Sequence, residues 1–154
     1  MRDEGGCDEG EVNSSPKAII ECPEEIPCDP CRTQCPKGAI VFEGDITSIP
    51  FLDKTKCTGC GVCVAACPGQ AIFIVECSGT QSDGMVTIPY EFLPLPEKDA
   101  IVLLTNKTGG VIAEGKIERI RTNKKFDSTA LVTLRVPHDL LMDVRGFRNK
   151  DNIL

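Results

Sequence analysis

The chain has 154 residues, 10 cysteines, a single histidine, no tryptophan and a formal net charge of −6. That length suits one or two small domains. No apolar run approaches the ~18 residues that a membrane-spanning helix needs, and the acid excess disfavours nucleic acid as a partner.

Residues 1–16 are rich in Gly, Ser, Asp and Glu and contain Cys7. Such a composition cannot bury a core, so a flexible acidic tail is expected. The segment lacks the basic start and apolar stretch of a secretory leader. With thiols that must stay reduced to bind metal, this predicts a cytoplasmic protein.

Residues 17–78 hold the densest signal. Cys57, Cys60, Cys63 and Cys67 read C-x2-C-x2-C-x3-C, and Pro68 follows. Cys28, Cys31, Cys35 and Pro36 repeat its latter part, with Cys22 upstream. A shift of 32 positions lays Cys28, Cys31, Cys35, Pro36, Ala39 and Ile40 on Cys60, Cys63, Cys67, Pro68, Ala71 and Ile72. The segment is therefore an internal duplication. The counterpart of Cys57 would be position 25, which is Glu25, so the first copy has three extra residues in its first loop.

Two residues between successive cysteines let a tight loop wrap three thiolates around one iron–sulfur cube. Proline after the last cysteine makes a stiff corner, and Gly59 and Gly61 permit close backbone approach. A zinc knuckle needs only paired C-x2-C motifs and has no use for the third cysteine or for the Cys-Pro. Cys77 closes the apolar run Ala71–Val75, and both it and Cys7 read as thiols outside the ligand set, with replacement of Cys22 as the alternative.

The segment 17–78 resembles the bacterial-type ferredoxin with two [4Fe–4S] clusters. The resemblance implies an α+β fold: a ferredoxin-like, pseudo-twofold βαββαβ module that carries single electrons. Carried over by position, Cys57, Cys60 and Cys63 hold one cluster together with Cys35. Cys28 and Cys31 hold the other with Cys67, and Cys22 is its fourth ligand. If Cys22 does not reach, that cluster is either a three-iron [3Fe–4S] form or keeps one iron on another ligand. Two oxidised clusters would bring residues 1–84, formally −8, to about −12, while residues 85–154 are formally +2. Pro30 removes an N–H from the first loop where the second keeps Gly59 and Gly61, so unequal potentials are expected.

Residues 79–84 read as a polar linker. Beyond it, strand signals at Met85–Phe92, Ala100–Thr105, Val111–Arg121 and Ala130–Val136 are broken by Pro94-Leu95-Pro96, by the hairpin turn Asn106–Gly110 and by the polar stretch Thr122–Ser128. Pro137 can open a short helix, and the tail after Gly146 is polar and basic. Residues 85–154 thus predict a small β-rich unit, read as a docking domain. The alternative is that it covers one face of the iron–sulfur module.

No catalytic residue is identified: His138 stands beside a helix start with no partner in view. The reading is an electron-transfer subunit of a multisubunit oxidoreductase. The stretch Glu21–Cys31 resembles small ferredoxin subunits that accompany flavoprotein dehydrogenases, which implies a flavoprotein partner. The alternatives are an iron–sulfur redox sensor and a zinc-binding structural module. Two centres in series favour transfer, since one labile cluster suffices for a sensor.

Overall fold

The computed structural model describes residues 16–22, 28–45, 47–77, 83–92, 94–126 and 129–149. Strand β1 (Lys17–Ile20) is followed by helix α1 (Pro30–Gln34), strands β2 (Ile40–Phe42) and β3 (Pro50–Leu52), helix α2 (Val62–Ala66) and strand β4 (Ile72–Cys77). Then come β5 (Asp83–Tyr90), β6 (Ile101–Thr105), β7 (Val111–Arg121), β8 (Ala130–Pro137) and β9 (Gly146–Asn149). Single 3-10 turns lie at Lys124–Phe126 and His138–Leu140.

The duplication seen in the sequence recurs in the backbone. Helix α1 maps onto α2 under the same 32-residue shift, and β2 maps onto the start of β4. Both helices end on a cysteine in matching extended geometry, Cys35 at φ −68, ψ 113 and Cys67 at φ −69, ψ 114. Each of these cysteines donates its N–H to the cysteine carbonyl four residues earlier. Four residues later the backbone returns: Ala39 N–H lies 3.4 Å from Cys35 Sγ and Ala71 N–H 3.4 Å from Cys67 Sγ.

Strands β2 and β3 form a separate antiparallel pair. All others join one sheet in the order β1-β4-β5-β8-β7-β6-β9. Asp83 and Gly84, placed in a linker by the sequence, open β5 and pair with Pro137 and Val136 of β8, and Gly84 also pairs with Cys77 of β4. The rest of that linker, and the tail apart from Pro16, lie outside the described residues. So does Cys7. Cys77 is half-buried and disulfide-bonded, not the thiol expected.

Strand β4 is apolar at successive positions because both of its faces are covered. Ile72 and Ile74 face α1, α2 and the cysteine loops. Phe73 and Val75 alternate to the other face and share a core with Ile88, Val102, Leu104, Ile117 and Leu134. One core thus runs from β1 and β4 to β6 and β7, and Glu21 after β1 bonds Arg145 before β9, so the sheet coils over that core. The cysteine-side core also takes in Phe126 and Leu131, both buried and both from the C-terminal half.

Candidate iron–sulfur site

Among the described residues eight cysteines are free thiols, and they line two cavities. The first is bounded by Cys35, Cys57, Cys60 and Cys63. The second is bounded by Cys22, Cys28, Cys31 and Cys67. Helix α1 runs between them, with Cys31 in the wall of the second and Cys35 in the wall of the first. Helix α2 does the reverse with Cys63 and Cys67. Four residues of helix are about 6 Å of rise, so the two cavities are close neighbours.

Glycines shape the Cys57–Cys63 loop around the first cavity. Gly59 takes φ +71, and a Cβ there would stand 2.5 Å from Pro16 O. Gly61 begins α2 at φ +87, and a Cβ there would stand 2.5 Å from Leu131 Cδ1. Only glycine allows both the left-handed backbone and the close approach of the sheet. Ala18 N–H lies 3.4 Å from Cys57 Sγ, and Lys17 Nζ donates to Cys57 O at 2.6 Å. Arg121, at the end of β7, donates from Nη1 to Cys60 O at 3.3 Å.

Cys22 is placed from both sides of the chain. Glu21 N–H donates to Ala71 O at 2.8 Å. The Glu21 carboxylate accepts from Arg145 Nε at 2.9 Å and Nη2 at 2.6 Å. These contacts bring Cys22 to the cavity of Cys28, Cys31 and Cys67 despite the longer first loop.

Electrostatics explain why such thiols need a metal. Burial pushes the Cys63 thiol up to about 12, and the neighbouring Cys57, Cys60 and Cys35 add to the effect. Burial likewise raises Cys31 to about 11, with Cys67, Cys28 and Cys22 adding. Cys28 is raised by burial first, then by Cys67 and Cys22. The Cys63, Cys31 and Cys28 thiols thus resist ionisation, which a cationic metal that replaces their protons would offset.

The donor set fits a cube better than a single ion. Four sulfurs ring each cavity, yet among the described residues no three His, Cys, Asp or Glu groups converge as a mononuclear site would require. Zinc holds its ligands about 2.3 Å from one centre. A cube takes one thiolate on each of four separate irons and so accepts a wider ring of sulfurs.

Comparison with known proteins agrees on the second repeat. Residues 50–73 match the family model of the 4Fe-4S binding domain. The chain carries a 4Fe-4S ferredoxin domain. The match covers Cys57, Cys60, Cys63 and Cys67. The chain is 47% identical over 45 residues to an uncharacterized ferredoxin of Methanocaldococcus jannaschii, covering 29% of this chain and 28% of that protein. It is 47% identical over 47 residues to a subunit of the ion-translocating oxidoreductase complex of Methanosarcina acetivorans, 30% of this chain and 17% of that one. It is 37% identical over 51 residues to the ferredoxin-type protein NapF of Escherichia coli, 32% of this chain and 31% of that one. The chain therefore spans less than a third of each of these relatives. No solved structure matches it. No helix among the described residues is long and apolar enough to cross a membrane.

The sequence did not flag Lys17, Glu21, Arg121 or Arg145, the charged residues that seat the cysteine loops. Their partners lie 40, 124, 61 and 124 positions away. No local spacing announces them.

Proposed function

We propose that the chain is an electron-transfer subunit of a larger oxidoreductase, holding two [4Fe–4S] clusters in a ferredoxin-like pseudo-twofold module. The observation that carries this is the sorting of eight free cysteines into two neighbouring cavities, with Cys35 and Cys67 exchanged between the repeats. When bound, each cluster supplies a one-electron couple at low potential. The protein's part is to hold the thiolates, exclude water and tune the charge around them. Ala18, Ile40 and Ile74 give the first cavity an apolar wall, and Ile72 with Pro50 does so for the second. Paired helices sharing their cysteines keep the two centres within a short reach of each other.

The relatives' names support a multisubunit setting, since one is a subunit of an ion-translocating oxidoreductase complex. A flavoprotein that takes two electrons from its substrate and releases them singly is the partner that a chain with two one-electron centres would serve. Phe92, Ile101 and Val111 are exposed apolar side chains of residues 85–154.

The test is an anaerobic titration of the full chain with dithionite, followed by mixing with a flavoprotein captured from the native source under anaerobic conditions. Uptake of two electrons per chain, and rapid reduction of the chain by substrate-reduced flavoprotein, are expected. A chain that takes up electrons but exchanges them with no flavin would overturn the partner assignment. A chain that takes up none would overturn electron transfer.

A further inference from the structure

The two cysteine cavities differ in the charge around them. Cys57 and Cys60 are both held through their carbonyls by cations, Lys17 Nζ at 2.6 Å and Arg121 Nη1 at 3.3 Å. Lys37 also lines this cavity. The wall of the other cavity includes Pro30, Pro50 and Pro68 and, among the described residues, contains no lysine or arginine. Its nearest basic neighbour in sequence, Arg32, is 44% exposed and stands 3.6 Å from Asp29. Arg145, close by Cys22, is matched by Glu21.

Arg121 is the odd member of this set. It reaches the Cys60–Gly61 peptide from the end of β7, and its Nη2 stands 3.0 Å from where a Gly61 Cβ would be. Its Nε is buried without a hydrogen-bond partner. Among the described residues no carboxylate forms an ion pair with it. Burial lowers its pKa, nearby Arg119 adds to this, and Cys60 acts the other way. An unmatched cation costs free energy unless a negative charge is meant to stand beside it. A partly buried charge is also poorly screened, unlike that of Arg32.

We infer that Arg121 is a positioning residue that sets the Cys35, Cys57, Cys60 and Cys63 centre at a higher reduction potential than the Cys22, Cys28, Cys31 and Cys67 centre. The inference rests on reading both cavities as cluster sites. Reduction adds one electron, and so one negative charge, to a centre that is already anionic with its four thiolates. Arg121 and Lys17 stabilise that added charge at one centre only. The first electron to enter the chain therefore rests beside Cys60, and the centre beside Cys22 is the stronger reductant. The C-terminal half of the chain tunes the iron–sulfur half through this one side chain.

The test is an EPR-monitored redox titration of the full-length, anaerobically reconstituted protein with dithionite as reductant. Cys60→Ser and Cys28→Ser identify which signal belongs to which centre. In the unaltered protein the Cys60 signal should be reduced first. Arg121→Gln should lower that centre's potential by about a tenfold change in its oxidised-to-reduced ratio, or about 59 mV for a one-electron couple. The other centre should stay in place. Arg121→Lys should restore most of the shift, which a merely structural role for the guanidinium would not allow. Lys17→Gln should move the same centre in the same direction, and it stands in should Arg121→Gln lose iron. Reduction of the Cys28 signal first, equal shifts of both centres, or no shift in either variant would overturn the inference. Absence of iron and sulfide from the unaltered chain would overturn the cluster reading itself, and the inference with it.

Discussion

Arg145 closes on Glu21 across 124 positions of sequence, with two nitrogens on one carboxylate oxygen. Glu21 follows β1 and Arg145 precedes β9, the two edge strands of the seven-stranded sheet. The guanidinium is 3% exposed, also donates to Leu141 O and Val144 O, and lies 4.9 Å from the Phe73 ring centroid. The pair ties the coiled sheet together one residue before Cys22.

Removing the carboxylate is the more damaging half of this pair. Glu21→Ala leaves a buried guanidinium without its counter-charge, and a loss of about 3 kcal/mol is expected. Arg145→Met keeps the packing on Phe73, and Glu21, 33% exposed, can rehydrate, so the loss should be smaller. Thermal unfolding of the two variants side by side checks the order. Glu21→Ala should also loosen Cys22 and release iron from its centre first. Equal or reversed losses would deny the pair this role.

Gly61 carries the second prediction. Gly61→Ala forces an L-residue to φ +87 and sets its Cβ against Leu131. The backbone alone should cost about 1–2 kcal/mol. Iron held at the Cys57, Cys60 and Cys63 loop should fall. Adding Leu131→Ala should recover part of that iron by opening space, though not the backbone cost. Full retention of iron in Gly61→Ala would show that the loop has more room than the structure gives it.

Truncation before Gly84 separates cover from docking for residues 85–154. Strand β4 would lose β5 as its neighbour, and α2 would lose Phe126 and Leu131 from its core. The shortened protein is therefore expected to aggregate or lose its iron with no partner present. A truncated chain that keeps its iron and fails only to assemble with a partner would favour docking instead. Iron content and light scattering of the isolated fragment decide between them.

Much of this was legible in sequence where the signal is local. Strand β7 spans Val111–Arg121 as its apolar and β-branched residues suggest. The Asn106–Gly110 turn closes the β6–β7 hairpin with Asn106 Oδ1 accepting from Thr108 and Gly110 N–H. Pro137 leads into a single 3-10 turn, with His138 exposed in it. Strand β9 was missed because Gly146-Phe147-Arg148-Asn149 reads as polar tail; its strand character comes from pairing with β6 at the sheet edge. The pairing of β4 with β5 was hidden by the polar residues between them in sequence. The seating of Arg121 on Cys60 depends on how β7 and β8 lie across the sheet, which no spacing records.

Two [4Fe–4S] clusters in this one chain, one in each four-cysteine cavity, are tested most directly by metal content. The measurement is the iron, acid-labile sulfide and zinc of anaerobically prepared protein, set beside Cys22→Ala. About eight irons and eight sulfides per chain are expected, falling to about seven irons with a three-iron EPR signal in Cys22→Ala. Four irons per chain, or stoichiometric zinc without sulfide, would contradict the two-cluster reading.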